Sequence, residues 1–520
     1  MLDVRVKNNL IYQELSEDDR LNFFDLKEKK FLHNIDTFYY SVKLVNDFTA
    51  DSQDKYCLEL RKFFDQRIDR TAYNAVVPLS LPGVNAQLNL RTSHYAGFYN
   101  INIECPELFD IFIADTVPPG KEDTESVTSE IIVQLRSCLL WQYGATKAYE
   151  FSYSVVKQLC NYFHLWIKEV KENRVDYCWH SNYLQNPEKF FRIDNFAKMQ
   201  VSRYKRIRYE YAFRPNDEYE NDYISLGKRS DKCFVRIYLK SKEVVEQGYK
   251  SWFLKEWLFN GLINRFDFYV YEKAYLKQSW KYVDMARLAF YAEYGSDKDL
   301  KTQCAAIVAG TETHGDDYIA RLADELTPRV TLITNVEFQT MRKMSKSFEL
   351  KLTRDNEDKG VERRIYDYLD NRAMITEYLT RSTLRLVESS GDINKSRRDY
   401  CAFWQALRSC KMVDVKKTPK ELKLTRDYSR QMNKDIVKKR MINSAITYGI
   451  YDKGINNDDV LQDAADILLM LNDNDIYELK RQKEKKIKQF NNDIYKLPLP
   501  GKQRNRNISI IDNDTGEIIN

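Results

Sequence analysis

No Cys-x-x-Cys pair occurs among the nine cysteines of this 520-residue chain, at positions 57, 105, 138, 160, 178, 233, 304, 401 and 410. An odd, scattered set of that kind argues against a disulfide framework and against a zinc knuckle, and predicts reduced thiols in a cytoplasmic protein. Long hydrophobic runs are also missing. The opening MLDVRVKNNLIYQELSEDDR lacks the basic start and apolar core of a signal peptide, and no apolar stretch reaches the ~20 residues of a membrane helix, so no membrane partner is expected. A strong excess of positive charge is absent as well, with a net charge of +5. Any surface for nucleic acid must therefore be a local patch. No Gly-x-x-x-x-Gly-Lys-Ser/Thr loop exists, because VAGTETHGDD (308–317) carries only its two glycines. That excludes a P-loop ATPase and leaves duplex unwinding to a partner.

What is present is a folded, highly charged composition, 43% hydrophobic and 31% charged, with 36 tyrosines whose amphipathic rings suit half-wet grooves. The length predicts about three domains at roughly 150 residues each. Residues 1–70 are charged, with helical spacing in YCLELRKFFDQRI, and are expected to be a helical region. Residues 71–295 open with short β-rich runs, AVVPLSLPGVNAQLNL and FYNINIECPELFDIFIAD, and continue with SEIIVQLRS and the long helical pattern ATKAYEFSYSVVKQLCNYFHLWIKEVK. In that pattern His164 reads as a packed core histidine. Residues 296–495 are expected to be mainly helical, as in DYIARLADEL, VERRIYDYLDNRAMITEYLTRSTLRLVES and YCAFWQALRS, and residues 496–520 to form a flexible tail with a DTGE turn. Within 411–440 there are eleven Lys and Arg against four acids, and KRQKEKKIK (480–488) is a second basic run. Each is either a solvated helix face or a contact for a DNA backbone.

Four stretches alternate apolar and polar residues as half-buried strands do. EIIVQLRS sets Ile131, Val133 and Leu135 against Gln134 and Arg136. RVDYCWHSN sets Val175, Tyr177 and Trp179 against Asp176, Cys178 and His180, and KCFVRIYLKS sets Val235, Ile237 and Leu239 against Arg236, Tyr238 and Lys240. NRFDFYVYEK, read in the same way, sets Phe266, Phe268 and Val270 against Arg265, Asp267 and Tyr269. If these share one antiparallel sheet, helices cover its apolar face and the opposite face gathers Asp176, His180, Asp267, Tyr238 and several arginines. Each strand alone is explained by a solvated sheet face. Together they suit an anionic polymer: two carboxylates and an imidazole can hold Mg²⁺ or Mn²⁺, guanidiniums bind phosphates, and a tyrosine can attack phosphorus to form a covalent intermediate.

The run GKRSDKCFVRIYLKSKE (227–243), followed by NRFDFYVYEKA (264–274), resembles the Rep_trans family of rolling-circle plasmid initiators and the related MobT-like relaxases of integrative conjugative elements. In that family a Gly-Ser-Arg-x-Ser-Asp turn leads into a strand of the form Arg-Ile/Phe-Tyr-x-Lys. RVDYCWHSN is similar to its Arg-x-Asp strand, and FWQALRS (403–409) to a Phe-Trp helix beyond the catalytic domain. The resemblance covers about residues 125–300. It implies an α+β fold, an antiparallel sheet of modified HUH-endonuclease type with helices on one face, and a divalent metal. It implies Tyr238 as nucleophile, with Arg236 and Lys240 beside it and Asp176 as the first acid. The turn here reads Gly-Lys-Arg-Ser-Asp, placing Lys228, Arg229 and Lys232 for phosphate contact. His180 stands where many relatives carry a second acid, which shifts the expected metal towards Mn²⁺, and Asp267 stands where Glu is commoner. The five histidines (33, 94, 164, 180, 314) contain no His-hydrophobic-His motif, which excludes the standard HUH relaxases.

The expected activity is site-specific nicking of single-stranded or cruciform origin DNA through a 5′-phosphotyrosyl intermediate, to start rolling-circle replication of a plasmid or mobile element. A conjugative relaxase nicking a transfer origin and a non-catalytic DNA-binding protein are the alternatives. VSRYKRIRYEYAFRP (201–215) adds Arg203, Lys205 and Arg206 among tyrosines, either a helix-like strip that stacks bases or a hairpin edge. A host helicase and a homodimer are the expected partners, the dimer because one tyrosine must serve two strand transfers per round.

Overall fold

The computed structural model describes residues 30–45, 59–68, 75–92, 99–114, 129–202, 204, 207–213, 219–247, 250–310, 315–345, 348–349 and 354–412, and short pieces beyond 425. Its chain forms two compact units, one of residues 1–345 with 352–418 and a second of 346–351 with 419–520. In the second unit the described backbone includes the pairings Phe348–Glu349 with Thr425–Arg426 and Ile510–Ile511 with Ile518–Ile519. The latter pairing flanks the expected DTGE turn of the tail. Most of the two basic runs lies outside the described residues.

The first unit is built on an eleven-stranded, wholly antiparallel sheet. Its strands, in chain order, are β1 (Phe31–Leu44), β2 (Val76–Leu79), β3 (Leu88–Arg91), β4 (Ile101–Cys105), β5 (Phe109–Ile113), β6 (Ile131–Leu135) and β7 (Ile167–Ser181). After the small β8 (Gln200–Ser202) come β9 (Ile207–Phe213), β10 (Tyr219–Leu226), β11 (Cys233–Leu239) and β12 (Thr334–Met341). The order across the sheet is β2-β3-β4-β5-β6-β1-β7-β12-β11-β10-β9. Two expectations fail against this sheet and one alternative gains support. The helical reading of the first 70 residues fails at β1, a fourteen-residue strand in the middle of the sheet that pairs with both β6 and β7. Its FYYSV stretch is buried on both faces, so it carries no alternation to read. The division at 295 fails because β12, from beyond it, inserts between β7 and β11. Within 201–215 the hairpin reading holds for Ile207–Phe213, which is β9 and, among the described residues, pairs with β10 at one edge of the sheet.

Helices cover both faces, where one was expected. α1 (Ser137–Tyr143) and α2 (Ala145–Tyr162) follow β6, and α2 ends well short of the expected pattern. Beyond it, His164 is exposed and turns the chain into β7 with φ +53°, so it is not a core residue. Between β11 and β12 lie α3 (Lys240–Gln247), α4 (Trp252–Phe259), α5 (Arg265–Leu276), α6 (Tyr282–Tyr294), α7 (Lys298–Ala309) and α8 (Asp316–Leu326). After β12 come α9 (Arg363–Asp370), α10 (Arg372–Tyr378) and α11 (Ala402–Ser409). On one face Phe38 and Tyr40 of β1 meet Tyr149 and Tyr153 of α2 and Tyr368 of α9, whose hydroxyl lies 2.8 Å from that of Tyr177. On the other, Trp141 of α1 and Val244, Phe253, Trp257, Phe266 and Val270 of α3 to α5 form one apolar cluster with Cys178. In the α11 segment, expected to be helical, Trp404 donates to the Thr380 carbonyl at 2.9 Å.

NRFDFYVYEK is helical rather than extended. Its buried residues Phe266, Val270, Tyr271 and Ala274 follow helical spacing, and Asn264 with Asp267 forms a capping box in which each side chain accepts from the other's backbone N–H. Removing the Phe38 ring from the sheet centre, in Phe38→Ala, should cost about 3–5 kcal/mol in denaturant unfolding. A loss below about 1 kcal/mol would show that β1 does not hold this place.

Candidate active site

The face of β7, β12 and β11 that carries Tyr238 is fixed by register. Tyr238 lies opposite Asn335, and Asn335 opposite His180. Arg236 lies opposite Glu337, and Glu337 opposite Cys178; Gln339 lies opposite Asp176. The alternation in β7 and β11 therefore places Asp176, His180, Arg236 and Tyr238 on one face. Sequence reasoning missed the β12 members, although Thr334, Val336, Phe338 and Thr340 alternate there with Asn335, Glu337 and Gln339. That strand follows a long helical insert, and the helical patterns on either side of it predict helix for the whole region.

Tyr238 is half-buried, and its hydroxyl makes three hydrogen bonds. It donates to Glu337 Oε2 at 3.1 Å and accepts from Asn335 Nδ2 at 2.9 Å and Lys240 Nζ at 3.4 Å. Burial pushes the phenol well above its ordinary value, with Glu337 adding to the rise and Lys240 opposing it. The hydroxyl thus keeps its proton at neutral pH, and Glu337 is positioned to take it. Arg236 binds the other Glu337 oxygen and lies 4.0 Å from Asp176 Oδ2. Asp176 is gripped by Arg174 through both oxygens. Lys240 is fully buried, pairs with Glu243 at 2.6 Å and Asp36 at 3.7 Å, and begins α3 one turn before Glu243. Asp36 reaches this face from β1, at a register shift between Ile35 and Thr37. Lys250 completes the set at 2.6 Å from Glu243.

The metal set read from the sequence does not assemble. Asp176 and His180 share a face but are four residues apart on one strand, about 13 Å, whereas ligands to one Mg²⁺ or Mn²⁺ lie about 2–2.2 Å from it. Asp267 belongs to α5, where Oδ1 accepts from Thr331 N–H at 2.8 Å and Oδ2 from Asn264 N–H at 3.1 Å. His180 stacks on Trp141 and accepts from Trp257 Nε1 at 3.2 Å. Among the described residues no group of three or more His, Cys, Asp or Glu is placed to hold a metal ion. Among the described residues, Asp176, His180 and Asp267 do not together fit the implied metal.

Of the DNA contacts read from the sequence, Arg136 is neutralised by Glu104 at 2.9 Å and Asp110 at 2.8 Å, and lies four strands from β11, roughly 19 Å. Arg203, Lys205 and Arg206 lie outside the described residues. Lys228, Arg229 and Lys232 are exposed on the β10–β11 turn. Gly227 needs its φ of +86° there, and a Cβ would come within 2.8 Å of the Tyr204 ring. Asp231 accepts from the Lys228 N–H at 2.8 Å, and Gln339 donates to the Arg229 carbonyl at 3.1 Å. From Lys232 to Tyr238 is six residues of strand, about 20 Å.

Among solved structures, a rolling circle replication initiator protein from Geobacillus stearothermophilus is similar over 73% of this chain and 95% of its own, with a TM-score of 0.31 and 12% identity. A likeness of that size carries no argument about activity. No family model matches the chain, and no curated protein matches it. Among the described residues no helix is long and apolar enough to cross a membrane.

Burial raises Asp176 from an ordinary 3.8 to about 7, against the pull of Arg174. Between those values the folded chain holds a proton that the unfolded chain releases, so this group's contribution to stability is full below pH 4 and falls as pH rises through 7. Unfolding of Asp176→Asn relative to the parent should therefore be more favourable to the variant at pH 7.5 than at pH 5; an equal difference at both would show an unshifted carboxyl. Asp267→Ala should lose about 1–3 kcal/mol of stability through its two orphaned backbone donors, while calorimetric Mn²⁺ binding, if the parent shows any, stays unchanged.

Proposed function

We infer that this chain is a tyrosine DNA-nicking enzyme, and the observation that carries the reading is the Tyr238 hydroxyl held between two donors, Lys240 and Asn335, and one carboxylate acceptor, Glu337. Phosphoryl transfer needs little covalent chemistry from a protein beyond a positioned nucleophile, a base and cations around the phosphate. Tyr238 Oη attacks phosphorus as its proton passes to Glu337. The P–O3′ bond breaks, its electron pair leaves on O3′, and that oxygen takes up a proton from solvent to become a free 3′ hydroxyl. The 5′ phosphate stays esterified to Tyr238. Arg236 and Lys240 stand where the added negative charge develops. The motif resemblance supports a DNA substrate, and it covers rolling-circle initiators and conjugative relaxases alike because both use this chemistry.

On this reading the exposed Lys228, Arg229 and Lys232 hold backbone phosphates several nucleotides from the break. Unwinding falls to a partner helicase, since the chain has no phosphate-binding Gly-Lys-Ser/Thr loop. Two transfers per round ask for a second tyrosine from a second copy. A DNA-binding protein without chemistry is the competing reading, favoured by the closed pairing of Asp176 with Arg174. Incubating the chain with single-stranded fragments of its own element, with and without Mn²⁺, separates the two. The enzyme reading expects a covalent adduct that Tyr238→Phe abolishes and that forms about 10²–10⁴ times more slowly in Glu337→Gln. No adduct under any condition, or one that survives Tyr238→Phe, overturns it.

A further inference from the structure

His180 is fully buried in an aromatic box of Trp141, Phe253 and Trp257, with its ring 4.6 Å from Trp141 and 5.0 Å from Phe253. Because Trp257 Nε1 can only donate, the His180 Nδ1 it meets at 3.2 Å must be the bare, accepting nitrogen. The proton of the neutral ring is then on Nε2. Burial and the nearby Lys240 and Lys250 cations disfavour a second proton, with Glu243 opposing them. That Nε2–H is buried and has no partner. Directly across the ladder stands Asn335, whose Oδ1 is also buried and without a partner. Side chains opposite one another in an antiparallel pair have Cβ atoms about 4.5–5.5 Å apart, within reach of an imidazole and an amide. The Asn335 amide cannot be turned round, because its Nδ2 faces both the Tyr238 hydroxyl and, at 3.4 Å, the Glu337 carboxylate, which only accepts.

We propose that His180 is a positioning residue: its Nε2–H, held as a donor by Trp257, and the facing Asn335 Oδ1, each without a partner in this structure, close on one another by a small side-chain rotation, which fixes the amide NH₂ on Tyr238 and the phenol proton on Glu337. The donors then run one way from Trp257 through His180, Asn335 and Tyr238 to Glu337. With Lys240 also donating to Tyr238, no acceptor other than Glu337 is left for the phenol proton. The imidazole serves the site as a fixed dipole rather than as a metal ligand or a base. The catalytic consequence rests on the nicking reading, whereas the tautomer and the coupling to Tyr238 do not.

The test uses the full chain labelled with ¹⁵N-histidine and ¹³Cζ-tyrosine, the two resonances being assigned by their loss in His180→Phe and Tyr238→Phe. The expected result is an Nε2–H imidazole that does not titrate between about pH 5.5 and 8.5, a Tyr238 signal that shifts in His180→Phe, and its return in His180→Gln, whose amide NH₂ again donates. An Nδ1–H tautomer, a titrating ring, or a Tyr238 signal unmoved in a folded His180→Phe overturns the proposal. In single-turnover adduct formation His180→Phe should be about 10- to 100-fold slower with DNA binding unchanged, as misplacement of a reacting group produces, and His180→Gln should recover most of the rate. An equal rate in His180→Phe counts against the proposal alone. Absence of adduct from the parent chain counts against the nicking reading and leaves the spectra to decide on His180.

Discussion

Burying charge on one face of a sheet governs much of this structure. The carboxyls of Asp36, Asp176, Glu243 and Glu337 gather in the region of β1, β7, β12 and α3 beside the cations of Arg174, Arg236, Lys240 and Lys250. An isolated ion there would cost several kcal/mol, so each group is tolerable only in the presence of its partner. This ties elements far apart in sequence. β1 supplies Asp36, the start of α3 supplies Lys240, and β12 supplies Glu337. The apolar cluster of α3 to α5 closes over this face, where the charged side chains are paired with one another.

Tyr238 inherits its chemistry from that pairing. A phenol has one proton and two lone pairs, and the site offers two donors and one acceptor. The hydrogen-bond inventory is therefore complete in a single orientation, with the lone pairs turned towards cation and amide and the proton towards a carboxylate. An exposed tyrosine on the same strand would have water at all three positions and no fixed direction. The buried setting also raises the phenol's affinity for its proton, which makes a neighbouring base necessary rather than helpful.

The legibility of the sequence follows from how far each pattern reaches. In β7 and β11 one face is apolar and the other polar, so alternation alone put Asp176, His180, Arg236 and Tyr238 on the same side. β1 gave no such pattern because both of its faces are covered. In NRFDFYVYEK the alternation lasts only six residues, Arg265 to Val270. The same stretch satisfies helical spacing over a longer span and opens with a capping box, so helix wins. The failed metal set has a simpler cause: residues on a shared face need not be close, because a strand advances about 3.3 Å per residue. Glu337 and Asn335 were visible as alternation in β12, but nothing local says that a strand following six helices returns to the middle of the sheet.

That return has a consequence for how the protein comes into being. The partners of the Tyr238 hydroxyl on β12 lie 97 and 99 residues downstream, and β12 fills the gap between β7 and β11. Contacts closed over such long loops form late and slowly. During synthesis the tyrosine is translated long before the strand that orients it, and an unfinished chain holds Arg236 and Asp176 with no Glu337 between them. The Tyr238 hydroxyl thus acquires its carboxylate acceptor only when the central sheet is complete, so assembly of the fold and orientation of the phenol are one event.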